Sequence, residues 1–208
     1  MKTKQIFLAL FLLNLSSILS QQDSITPKRD AYIIGLLPSQ RTNIYGLSLG
    51  LMGSEVYCNL MHKRNSHGLN LQLFGNGGFV ILTRHFWNQK GFAEDTVFQR
   101  IFSESQNYKI RHNGIIISAF GTNTSVTNGI AISGLVSNGT VMNGIGINLL
   151  SNNYLKSNGV FISIFNQSYQ TNGIQIGLVN RSKHIKGLQI GLWNVNSKRK
   201  LPLINWGF

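Results

Sequence analysis

Six times in the second half of this chain a glycine opens the same short phrase. The copies are Gly114-Ile115-Ile116-Ile117, Gly129-Ile130-Ala131-Ile132, Gly144-Ile145-Gly146-Ile147, Gly159-Val160-Phe161-Ile162, Gly173-Ile174-Gln175-Ile176 and Gly187-Leu188-Gln189-Ile190. The step from one opening glycine to the next is fifteen three times, then fourteen twice. A fixed period of this kind means that one structural unit is copied, and that each copy is stabilised by its neighbours rather than alone.

Inside a unit the alternation has period two. Counting the glycine as zero, position one is Ile, Ile, Ile, Val, Ile, Leu, and position three is isoleucine throughout. Small or polar residues stand between them, among them Ala131, Gly146, Gln175 and Gln189. Alternation with β-branched residues on one side describes a β-strand with one apolar face. Asn113, Asn128, Asn143, Asn158 and Asn172 each precede the glycine. Asn-Gly marks a bend or bulge at the strand start.

Two all-β architectures fit. In a β-solenoid each unit is one coil, equivalent strands stack in parallel, and the glycines occupy one corner. The isoleucines would form internal ladders, and Asn166, Asn180 and Asn194, each seven after its glycine, would stack as an asparagine ladder. In an antiparallel meander, or a small outer-membrane barrel, isoleucines would face lipid. Barrels alternate short turns with long loops, so their natural period is two strands. The spacers here are alike, and Pro202 interrupts the last would-be strand. The stack is therefore favoured and the barrel is the alternative.

Upstream the design loosens. Gly46-Leu47-Ser48-Leu49 and Gly68-Leu69-Asn70-Leu71 repeat the phrase at a wider spacing, and residues 74–112 break the period. Within that break, Val97, Phe98, Ile101 and Phe102 make one apolar stripe behind Glu94 and Asp95. That pattern predicts a short helix near 93–103. The expected organisation is a signal peptide over 1–20, a polar leader over 21–42, an irregular β region over 43–112 and the regular repeat over 113–208. The signal reading rests on Lys2 and Lys4, the apolar run Ile6 to Leu13, and the small residues Ser16, Ser17 and Ser20. That run is shorter than the ~20 residues of a membrane-spanning helix.

The chain carries 19 Lys and Arg against 6 Asp and Glu, a net charge of +13, and its last acidic residue is Glu104. Such a surface favours anionic partners. The C-terminal cations Arg181, Lys183, Lys186, Lys198, Arg199 and Lys200 are the candidate contacts for lipopolysaccharide or an acidic glycan. No basic-aromatic motif for nucleic acid accompanies them.

Catalytic sets do not assemble in this sequence. His62 and His67 lie near the lone Cys58, but a closed zinc site needs four ligands. Gly75-Asn76-Gly77-Gly78 lacks the Lys-Ser/Thr tail of a phosphate loop and reads as a turn. Glu94 and Asp95 are adjacent and so diverge, which leaves them and His85 as the weak remainder for chemistry. Neither a cofactor nor an enzymatic role is expected.

The units Gly173-Ile174-Gln175-Ile176-Gly177-Leu178-Val179-Asn180 and Gly187-Leu188-Gln189-Ile190-Gly191-Leu192-Trp193-Asn194 resemble the G-[LI]-Q-I-G-L-x-N repeat of bacterial surface-repeat proteins of spirochaetes and Bacteroidetes-type bacteria. The ending Leu201-Pro202-Leu203-Ile204-Asn205-Trp206 is similar to the closing phrase seen there. The resemblance covers 172–208 closely and 113–171 in degenerate form. It implies an exported, envelope-associated protein and carries no assigned activity. The expectation is therefore a non-catalytic exported repeat protein, at the cell surface, in the outer membrane or secreted. Self-assembly through exposed strand edges is a further alternative.

Overall fold

The computed structural model describes residues 30–37, 43–50, 64–73, 103 and 110–208. They build ten strands: β1 (Ala31–Leu37), β2 (Asn43–Gly50), β3 (Arg64–Gln72), β4 (Ile110–Ser118), β5 (Gly121–Ser133), β6 (Val136–Asn148), β7 (Ser151–Ile162), β8 (Phe165–Ile176), β9 (Val179–Val195) and β10 (Lys200–Gly207). All ten lie in one sheet in chain order. β1 to β9 pair in parallel, in unbroken succession. β10 alone returns antiparallel on β9. The result is a β-solenoid of about 7 turns and not a barrel.

β1 falls within the span read as a polar leader and extends the stack by one strand. The two loose upstream copies join the regular ones in register, with Gly46 beside Gly68 and Gly68 beside Gly114. The helix expected near 93–103 lies outside the described residues, apart from Ser103, whose backbone is helical.

A column of glycines sets the bend of each coil. From Gly46 to Gly187 their φ angles run from 101° to 137°, a region that L side chains rarely adopt. Space adds a second requirement: a Cβ on Gly144 would collide with the carbonyl oxygen of Gly129 in the preceding coil. Ile33 occupies the same column in β1, at φ 79°. No described strand precedes β1.

The isoleucines do not form internal ladders, which corrects the expectation from the sequence. Position two points inward, with Ile116, Ala131, Phe161, Gln175 and Gln189 buried, whereas Ile117, Ile132, Ile147, Ile162 and Ile190 at position three are exposed. The interior between the two legs of the coil is mainly polar. Two small apolar clusters interrupt it among the described residues, Ala131, Met142, Tyr154 and Phe161 at its middle and Ala31, Leu37 and Ile44 at the N-terminal end. Gly146, one coil before Phe161, leaves room for that ring, since a Cβ there would crowd it at 3.1 Å.

Amide ladders satisfy much of the polar core, although Gln72 Oε1, His112 Nε2 and Asn138 Nδ2 stay unpartnered. Asn152, Asn166 and Asn180 each donate from Nδ2 to the Oδ1 of the next coil's asparagine, at 2.9, 2.8 and 2.8 Å, ending on Asn194. The predicted column of Asn166, Asn180 and Asn194 is therefore present. Asn166 and Asn180 also donate to the Ile176 and Ile190 carbonyls, both at 2.9 Å, which ties one leg to the other. Gln189 donates to Gln175 at 2.8 Å, and Asn205 of β10 donates to Gln189 at 3.1 Å. An unpartnered buried amide costs about 1–3 kcal/mol, so this interior holds only while every coil keeps its place.

A second ladder runs along the glycine corner nearer to solvent. Asn128, Asn143, Asn158 and Asn172 each donate to the preceding coil, at 2.6 to 2.8 Å. It begins where Asn113 Nδ2 meets His67 Nδ1 at 3.2 Å, and His67 stacks on Tyr45, which stacks on Tyr32.

Candidate functional site

The solenoid presents two surfaces of distinct chemistry. The first follows from which side chains the coil turns outward. Register places position one of every strand in one column and position three in another, from Ile34 and Leu36 of β1 to Trp206 and Ile204 of β10. Every one of these positions is aliphatic or aromatic. The sequence pattern located this apolar face but assigned it to the inside, because alternation marks two faces without saying which is covered. The one available signal was the opposite face, whose Asn, Gln, Ser and Thr recur at constant register.

The second surface is the basic C-terminal end. Lys183 lies in β9 with its ammonium 5.4 Å from the Tyr169 ring centroid. Its carbonyl accepts from the Ser197 amide at 3.2 Å, which brings the β9–β10 turn alongside. In that turn Asn196 Oδ1 accepts from the Lys198 and Arg199 amides, at 2.9 and 2.8 Å. Arg199 lays its guanidinium over the Trp206 ring at 4.5 Å and donates to the Trp206 carbonyl. Lys200 is exposed at the start of β10. Of the six predicted cations, Lys183, Lys198, Arg199 and Lys200 thus converge on this end. Arg181 is half-buried earlier on β9, and Lys186 stands apart at the glycine corner, beside Asn172.

Asp30 is the one Asp or Glu among the described residues, and it accepts from Asn43 at 3.0 Å. Past it every charged side chain described is cationic. Glu94, Asp95, His85, Cys58 and His62 lie outside the described residues. No group of three His, Cys, Asp or Glu side chains suited to a metal occurs among those described.

One pair has the residue types of a nucleophile and base. Ser66 Oγ and His112 Nδ1 are 2.7 Å apart. His112 is buried in the coil interior, and burial lowers its pKa to about 4, with the nearby His67 adding to the effect. It is a neutral interior imidazole with no described Asp or Glu to orient it. Tyr154 is likewise a core group, its phenol pushed up to about 12 by burial.

Fold and surfaces together define a β-solenoid repeat protein with a polar, amide-laddered interior, an apolar sheet face and a basic end. No family model matches the chain, and no curated protein or solved structure matches it either.

Proposed function

We propose that this chain is an exported repeat protein, envelope-associated or secreted, that acts as a non-catalytic scaffold and contacts anionic envelope polymers through its basic end. The observation that carries this reading is the gathering of Lys183, Lys198, Arg199 and Lys200 on the last coil and its hairpin. No described Asp or Glu lies near to neutralise them. Arg199 and Lys183 are held over aromatic rings, so their charges are displayed at fixed places rather than on freely moving stems. Export is supported by the basic, apolar, small-residue order of residues 1–20.

The test is binding of the full chain to lipopolysaccharide and to an acidic glycan across a salt series. Affinity should fall steeply with salt, as screening of exposed charges requires. The triple variant Lys183→Ala, Lys198→Ala, Lys200→Ala should weaken binding at least tenfold with unchanged circular dichroism. Salt-insensitive binding, or none, removes the electrostatic reading. Fractionation of expressing cells tests export separately: retention in the cytoplasm with residues 1–20 uncut would overturn it.

A further inference from the structure

We infer that the outward isoleucine face is the interface of a homodimer, seated against the same face of a second copy. Ile115, Ile132, Ile147, Ile162 and Ile190 are all between 38% and 40% exposed. Over these central coils the flanks are covered by ladder neighbours and the tips end level, while exposure rises to 57% at Ile34 and 73% at Leu36 in β1. Ten strands at ~4.8 Å and two columns each ~6.6 Å wide give about 43 by 13 Å, and the exposed Leu73, Leu149, Leu178 and Leu192 at position five widen the face from β3 to β9, to roughly 750 Å² in all. Apolar patches on monomers reach about 300–600 Å². A standard interface buries about 800 Å² per partner. The face is therefore too large for an unpartnered monomer and the right size for one partner.

Charge and symmetry select the second copy. Neither of the two columns formed by positions one and three contains a charged or polar residue, so chains of net charge +13 can meet there without opposing cations. Lys186 borders the face at its C-terminal end, and a two-fold axis lying in the interface at right angles to the solenoid axis sends the two copies' Lys186 to opposite ends. Sheets mate face to face with about 10 Å between them, a spacing that β-branched side chains of one kind fill evenly. A bilayer is the lesser fit. Membrane-lying faces combine aromatic residues with Lys or Arg stems, and the two columns offer Trp206 alone.

Sedimentation velocity of the full chain over a wide concentration range tests this. The expected result is a reversible dimer, converted to monomer by Ile147→Lys at the face centre, with the dissociation constant raised at least a hundredfold. Val141→Lys on the outer side of the other leg, where the next coil already carries Lys156, should leave the dimer intact. Should Ile147→Lys fail to fold, Ile147→Thr keeps the β-branched shape and should weaken the dimer measurably. A wild-type chain that stays monomeric, or a dimer that survives these face variants, overturns the proposal. So does a monomer that co-sediments with phosphatidylglycerol vesicles and loses that binding on Ile147→Lys, which would reassign the face to lipid.

Discussion

Replacing Asn180 by alanine should damage this protein far more than replacing Asn143, although each loses two ladder hydrogen bonds of nearly equal length. Asn180 accepts from Asn166 and donates to Asn194, both at 2.8 Å, inside the coil. Asn143 accepts from Asn158 at 2.6 Å and donates to Asn128 at 2.7 Å, at the half-exposed glycine corner. Without the Asn180 amide the Ile190 carbonyl keeps only the Gly177 amide, at 3.0 Å, while Asn194 Oδ1 loses its donor and Asn166 Nδ2 loses one of two acceptors, keeping the Ile176 carbonyl at 2.9 Å. Both side chains are fully buried. Each group therefore incurs about 1–3 kcal/mol of desolvation, about 3–4 kcal/mol together. At the corner, water replaces what Asn143→Ala removes, and the loss is about 0.5–1 kcal/mol. With a urea slope of about 2 kcal/mol/M, the midpoints should fall by about 1.5–2 M and by less than about 0.5 M respectively. Urea unfolding followed by circular dichroism measures both, and hydrogen exchange over 179–195 shows whether the Asn180 variant frays only the last coil. Equal shifts, or a larger one for Asn143→Ala, would refute the claim that the buried ladder holds the coils together.

Two further outcomes follow from the corner and the core. Gly144 combines a left-handed backbone with the close approach of the Gly129 carbonyl. Gly144→Ala should therefore cost about 4 kcal/mol or more and split thermal unfolding into two stages. A single unshifted transition would contradict the corner geometry. The lowered pKa of His112 makes stability pH-dependent. Well above the ordinary imidazole value of 6.5, folded and unfolded states both hold the ring neutral. As pH falls from there towards about 4, only the unfolded state takes up the proton, so the folded state loses stability. The loss is at most about 1.4 kcal/mol per pH step of one, and about 3 kcal/mol over the whole window. Urea midpoints at neutral pH and near pH 4.5 should differ more for the wild type than for His112→Thr, which puts the next coil's Thr127 residue type in the same column. An equal difference in the two proteins would clear His112 of the effect.

Much of the fold was legible because stacking leaves a trace in spacing. The period, the period-two alternation and the Asn-Gly pairs specify one strand per coil with a glycine bend, and the column of Asn166, Asn180 and Asn194 could be counted off the chain. The orientation of the strand was not legible. Isoleucine at position three argues for the inside by its transfer free energy, yet Gln175 and Gln189 at position two take that place. What decides is pairing: an amide stacked on an identical amide is satisfied within the ladder, so burying it carries little net desolvation cost. That pairing exists only between coils and is invisible within any one of them. The convergence of Lys183 with 198–200 was hidden for the same kind of reason, since it depends on β10 turning back on β9. Pro202, expected to interrupt the last strand, does not do so: β10 runs through it from Lys200 to Gly207. It sits in the edge strand, at the register shift between Leu201 and Leu203, where a missing amide is tolerated.

The one-residue shortening of the later coils shows which columns the fold protects. Gly144 to Asn152 is a step of eight, whereas Gly159 to Asn166 is a step of seven, yet Asn152 and Asn166 stand side by side. From the ladder asparagine to the next glycine the step stays at seven in both coils, Asn152 to Gly159 and Asn166 to Gly173. The residue is lost between Ile162 and Phe165, in the turn from the apolar leg to the polar one, because Ile147 still pairs with Ile162 while Ser151 already pairs with Phe165. A loss inside the polar leg would have flipped its side chains, turning the amides out and breaking the ladder. The turn absorbs the change and still bonds to the preceding coil, with the Ile164 and Phe165 amides donating to the Leu149 and Leu150 carbonyls at 3.2 and 2.8 Å. Unit length is therefore free to vary there, while the glycine corner and the amide column are fixed. The loose upstream copies obey the same rule, since Gly46, Gly68 and Gly114 stay in register although far more chain separates them.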